Sequence, residues 1–168
     1  MATSDESRHW AAPRSSEARA SEGMHDSAAS SSKGAASPYR PKISSMKIWR
    51  EALGPLLDIE KAAGLLRLKN REQVRDLSAS GRLLELDSPE GQLYPGFQFD
   101  ANGSLYPEVA EIIKIFSGVV ETPYTIASWF VSPQDLLEGE TPVAWLRSQR
   151  ESELLFEAAR RSAAPLAW

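Results

Sequence analysis

From Met46 onward, apolar side chains recur every three to four residues, and this spacing predicts a mainly helical chain interrupted once by strands. Ile48, Trp49, Leu53, Leu56 and Leu57 mark a short amphipathic helix over 46–57, interrupted by Gly54 and Pro55. Asp58 can cap a next helix, whose buried face is Ile59, Ala62, Ala63 and Leu66. Residues 67–69 make a brief break. Asn70 then caps another helix, with Gln73 as its capping-box partner, Val74 and Leu77 inward and Gly81 as the terminating glycine. Two strand-like runs follow, 82–86 and 92–99, across the turn-forming residues 87–91, and Pro95 is expected to confine its strand to an edge. A further turn is expected at 100–103. The rest reads as helix: 107–116 through Val109, Ile112, Ile113 and Phe116, then two starts marked by Thr122-Pro123 and Thr141-Pro142. Ile126, Trp129 and Phe130 belong to the first of these, Val143, Leu146 and Arg147 to the second. A last helix spans about 152–163.

Residues 1–45 lack this pattern. They are rich in Ser and Ala, carry few bulky apolar groups, and are expected to form a disordered tail. The expected organisation is therefore a tail over 1–45, a helix-turn-helix-like region with a hairpin over 46–105, and an all-α unit over 106–168.

Two short helices separated by about three residues and followed by a hairpin match the outline of a winged helix-turn-helix. In such a unit the second helix enters the major groove. Its exposed residues would be Lys69, Asn70, Arg71, Gln73 and Arg75, with Arg82 placed to contact the DNA backbone. Arg and Lys suit guanine, while Asn and Gln suit adenine. Charge changes the picture only partly. The formal net charge is −4, but residues 56–86 carry six Lys/Arg against five Asp/Glu, and residues 87–168 carry five against twelve. Nucleic acid would tolerate the first segment and be repelled by the second. Short capped helix pairs with a solvated polar face are also common without any DNA contact.

Other chemistries are poorly supplied. The chain has no cysteine, and its two histidines, His9 and His25, fall in the expected tail. No thiolate zinc site, disulfide or Ser–His–Asp triad can be assembled in the folded part, no Gly-rich phosphate loop is present, and no cofactor or metal is expected. Glu138 and Glu140 are near each other in sequence, but read as solvated or capping charges. No apolar run reaches the roughly 18 residues that would span a bilayer, and no secretory signal opens the chain. A cytoplasmic, non-enzymatic protein is expected.

Two runs carry a resemblance. GLLRLKNREQVRDLSASGRLLEL with GQLYPGFQFDANGSLYPEVAEII resembles the DNA-binding half of actinobacterial-type antitoxins. TPYTIASWFVSPQDLLEGETPVAWLRSQRESELLFEAAR resembles the toxin-binding domain of the Xre/MbcA/ParS antitoxin family. Together they span about residues 58–162. Their most specific pieces are YPGFQFD (94–100), the LLEG-x-TPVAWL run (136–146) and AAR (158–160). The resemblance implies a bacterial antitoxin that represses its own promoter and neutralises a RES-domain, NAD-degrading toxin by covering its active-site entrance. It places Leu137, Gly139, Thr141, Pro142 and Trp145 in the toxin-binding motif, and Arg160 and Arg161 on the helix that faces the toxin. Glu140 departs from the pattern, which often has a basic residue before Thr-Pro. A homodimer or a hetero-oligomer with the toxin is expected. The residues alone leave two readings open: Trp129 and Trp145 as interface anchors or as core aromatics, and the whole chain as a stand-alone transcriptional regulator.

Overall fold

A computed structural model describes residues 41–167. Most of the expected tail and both histidines lie outside the described residues; Ile43–Ser45, counted with the tail on composition, form the first turn of a helix. That helix, α1 (Ile43–Leu53), buries Met46, Trp49 and Leu53 and leaves Ile43 and Ile48 exposed. Gly54 ends it at φ +76°, where a left-handed backbone favours glycine.

Beyond Gly54 the chain does not resume the helix. Leu56–Leu57 form a short strand, β1, followed by α2 (Ile59–Leu65) and α3 (Arg71–Ala79). The hairpin consists of β2 (Leu86–Ser88) and β3 (Gly91–Pro95), and the sheet order is β1-β3-β2, all antiparallel. The expectation that Pro95 confines its strand to an edge is therefore overturned: β3 is central. Proline is tolerated because it is the last residue of β3, opposite Leu56, and the ladder continues through the next amide, with Gly96 N–H donating to the Pro55 carbonyl at 2.8 Å. The strand expected over 82–86 begins only at Leu86, since the preceding residues are spent leaving α3.

The helical part is α4 (Pro107–Phe116), α5 (Pro123–Phe130), α6 (Pro142–Arg147) and α7 (Ser152–Ala163). Both Thr-Pro starts act as expected. Thr122 Oγ1 accepts from Tyr124 N–H at 3.3 Å and Thr141 Oγ1 from Ala144 N–H at 3.2 Å. The chain is mainly α with a small three-stranded sheet.

Two apolar clusters hold it. The smaller joins Ala62, Ala63, Val74, Leu83, Tyr94 and Phe99, and is the floor of the α2–α3 pair. The larger runs from Trp49 and Leu53 of α1 through Leu86 and Phe97 to Trp129, Leu137 and Leu155. Trp49 meets the Tyr124 ring at 4.7 Å, and Phe116, Trp129 and Phe130 form a chain of tilted rings at 5.4–5.5 Å. Helix α1 thus shares a core with α4–α7. Among the described residues, no helix is long and apolar enough to cross a membrane.

Candidate nucleic-acid interface

The α2–α3 unit is fixed by its caps. Asp58 Oδ1 accepts from Lys61 N–H at 2.9 Å, and this amide holds the exposed carboxyl below its usual pKa. Arg67, at φ +54°, makes the left-handed residue of the turn after α2. Asn70 Oδ1 accepts from Gln73 N–H at 3.0 Å, and Gln73 Oε1 accepts from Lys69 N–H at 2.9 Å. This is a capping box that reaches one residue further back than usual. At the other end of α3, Gly81 N–H bonds to Ser78 O at 3.0 Å and Arg82 N–H to Leu77 O at 2.9 Å, a Schellman closure with Gly81 at φ +70°.

These caps decide what each expected DNA-contacting residue can offer. Asn70 and Gln73 are exposed, but their carboxamide oxygens hold the helix start. Their NH2 groups can still donate outward; turning either amide to read adenine with both atoms releases a cap. Arg71 is exposed and ion-paired with Glu60 of α2. Arg82 does not start the hairpin as expected. It is the residue after the terminating glycine of α3, because the strand begins four positions later.

Lys42, Arg67, Lys69, Arg75, Arg82 and Arg147 have no carboxylate within 4.0 Å among the described residues, whereas Lys47, Arg50, Lys61, Arg71, Lys114, Arg150, Arg160 and Arg161 all do. Four of these six, Arg67, Lys69, Arg75 and Arg82, lie on or beside the α2–α3 unit. Glu72 and Asp76 share the exposed surface of α3 with Arg75. Neither belongs to the cations and amides that the sequence singles out, although a carboxylate can accept from cytosine N4. The hairpin tip carries Asp87 and Glu90 and no cation, and Glu90 is tied to Arg50 of α1. Behind α3, Tyr94 Oη donates to Glu85 Oε2 at 2.7 Å; burial, then this carboxylate, pushes the phenol pKa up, so it stays a donor.

The residues assigned to toxin binding separate into two groups. Leu137 is fully buried, Pro142 is buried, and Thr141 caps α6. Trp145 is 5% exposed, donates its indole N–H to Glu151 O at 3.0 Å, and has the Arg150 guanidinium 4.7 Å from its ring. These four serve the fold. Gly139 (φ +79°), Arg160 and Arg161 are exposed. Arg160 pairs with Glu153 at 3.0 Å, which raises its pKa, and Arg161 pairs with Glu157 at 3.1 Å. Trp129 is a core ring whose N–H donates to Ser162 Oγ at 2.9 Å. Among the described residues, no group of His, Asp or Glu could hold a metal ion.

No family model and no curated protein matches the chain. The fold is similar to the NMR structure of Rv2175c, with a TM-score of 0.57 at 18% identity, over 65% of this chain and 81% of that one. At that identity the likeness concerns the fold alone.

Proposed function

We propose that this chain is a DNA-binding regulatory protein of the antitoxin kind. In this reading α3 enters a major groove, Arg75 reads base edges, Arg71 joins it by leaving Glu60, and Asn70 and Gln73 donate to bases or phosphate while holding the helix start. The observation that carries it is the concentration of carboxylate-free cations on a capped α2–turn–α3 unit in a chain of net charge −4. Elsewhere among the described residues every cation but Lys42 and Arg147 sits beside a carboxylate.

The antitoxin half of the proposal rests on the residue runs that resemble the Xre/MbcA/ParS family. The partner would be a RES-type NAD-degrading toxin, met by the exposed surface around Gly139, Arg160 and Arg161. A second reading, a stand-alone regulator, is favoured by the burial of Leu137, Pro142 and Trp145, which accounts for those motif positions by folding alone.

One experiment separates the readings. Binding of the full chain to duplex from upstream of its own gene is compared with binding to random duplex, with and without the product of the adjacent open reading frame. The same product is expressed alone and with this chain. Preference for the upstream duplex, with growth arrest relieved by this chain, supports both halves. A harmless neighbour that leaves DNA binding unchanged removes the antitoxin half. Equal binding to both duplexes removes the regulator.

A further inference from the structure

We propose that the groove between the α2–α3 turn and the 100–105 loop is a phosphate-binding flank of the DNA interface, held by Arg67 and Arg82. The proposal deepens the DNA-binding reading and rests on it.

The groove, of about 370 Å³, is lined by Leu65–Leu68, Leu77, Arg82 and residues 102–105. No Asp or Glu lines it, whereas three further clefts contain acids: Glu85 and Glu121 in one, Asp100 and Glu108 in a second, and Glu111 in a third, which Arg82 also borders. Its two guanidiniums have no carboxylate partner among the described residues. In a chain of net charge −4, two cations without an ion pair along one groove that no acid lines make a site for an anion.

The backbone on both sides is set. Arg67 follows α2 in a left-handed turn, with its N–H on Gly64 O at 3.2 Å and the next amide on Ala63 O at 3.0 Å. Arg82 is fixed by the hydrogen bond that its N–H donates to Leu77 O at 2.9 Å. The facing loop has one acid, Asp100, and that carboxylate is turned into its own loop, accepting from Asn102 N–H at 2.8 Å and Ser104 N–H at 2.9 Å. Gly103 lets this loop approach: a Cβ there would lie 2.7 Å from Leu65 O. Two planar guanidinium forks on fixed backbone, one near each end of α3, suit the phosphates of a strand running beside that helix. An acidic protein segment has the same charge, but the groove flanks the helix proposed to enter DNA, so nucleic acid is the occupant this placement favours.

The test is fluorescence anisotropy with the full chain and two labelled duplexes, upstream and random, between about 50 and about 200 mM salt. For R67Q/R82Q the slope of log affinity against log salt is expected to fall by about two, with weakening of about 10- to 100-fold on both duplexes alike. R67K/R82K, which keeps the charge, retains most of the slope. If the double variant does not fold by circular dichroism, the single variants R67Q and R82Q carry the test, each lowering the slope by about one. A folded R67Q/R82Q with the wild-type slope overturns the groove while leaving DNA binding by α3 intact, and is the result expected if an acidic protein segment is the true occupant. Absence of wild-type binding to either duplex overturns the groove and the reading beneath it together.

Discussion

Tyr124 Oη donates a 2.8 Å hydrogen bond to the main-chain carbonyl of Asp87, and so the first turn of α5 holds the hairpin. With the Arg50–Glu90 pair, this bond ties the hairpin to helices before and after it. A wing that embraces DNA is usually free at its tip and basic; this one is held and acidic. Tyr124→Phe keeps the ring against Trp49 and removes the donor. A loss of about 1 kcal/mol in urea unfolding is expected. An unchanged midpoint would show that the bond contributes nothing net.

Glu90→Gln removes a charge from the hairpin tip and its partner from Arg50. If the tip stays away from DNA, duplex affinity changes by less than about twofold across salt concentrations, as expected for a site that neutralises no phosphate. A marked gain in affinity would place the tip beside the backbone and contradict the picture of a held hairpin.

The caps of α3 give a stability prediction separable from DNA chemistry. Asn70→Ala removes the acceptor for Gln73 N–H and is expected to cost about 1 kcal/mol by thermal or urea unfolding. Asn70→Asp keeps an acceptor at the positive end of the helix and is expected to preserve stability, while adding a charge that weakens DNA binding. Stability lost equally in both variants would mean the cap geometry, not the acceptor, is what matters.

Leu137 and Trp145 are expected to act through folding. Leu137→Ala empties a fully buried site and is expected to cost about 2–5 kcal/mol. Partner binding by such a variant should fall in step with the folded fraction. Arg160→Ala, at an exposed position, is expected to leave the melting midpoint nearly unchanged. If it also leaves partner binding intact, α7 does not face the partner through that residue.

Acid weakens the start of α2. Asp58 is held below its ordinary pKa mainly by the Lys61 amide, so the folded state favours the charged carboxylate and the unfolded chain binds the proton first. The stabilising contribution is full above the ordinary carboxylate range and is lost as pH falls through the folded value. Asp58→Asn retains an acceptor that cannot titrate. Urea midpoints of wild type and variant should converge as the pH is lowered from about 6 to about 2. Parallel curves over that interval would exclude Asp58 as a source of acid sensitivity.

The helix starts were legible because their signals are local: Thr122-Pro123, Thr141-Pro142, Asn70 with Gln73, and Gly81 each act within one turn of chain. What was missed depends on partners distant in sequence. Leu56–Leu57 looks like the end of a helix until β3 is present to pair with it. Pro95 looks like an edge residue unless Gly96 is known to meet Pro55. Leu137 and Trp145 stand out as motif residues, and only the packing of α6 and α7 shows that both are interior. For the candidate interface, the residue types were readable, but which cations lack a carboxylate was not. Glu60, which takes Arg71, lies on the preceding helix.

The contact of Trp49 with Tyr124 also bears on the order in which the chain becomes ordered. Helix α1 is synthesised early, yet the ring it packs against emerges only with α5. Until then Met46, Trp49 and Leu53 lack part of their cover, and closing so long a loop is a slow, non-local step. A nascent chain halted before α5 would therefore expose that apolar face to chaperones or to neighbouring chains. The helical half is in this sense a completion requirement for the segment before α2 and α3.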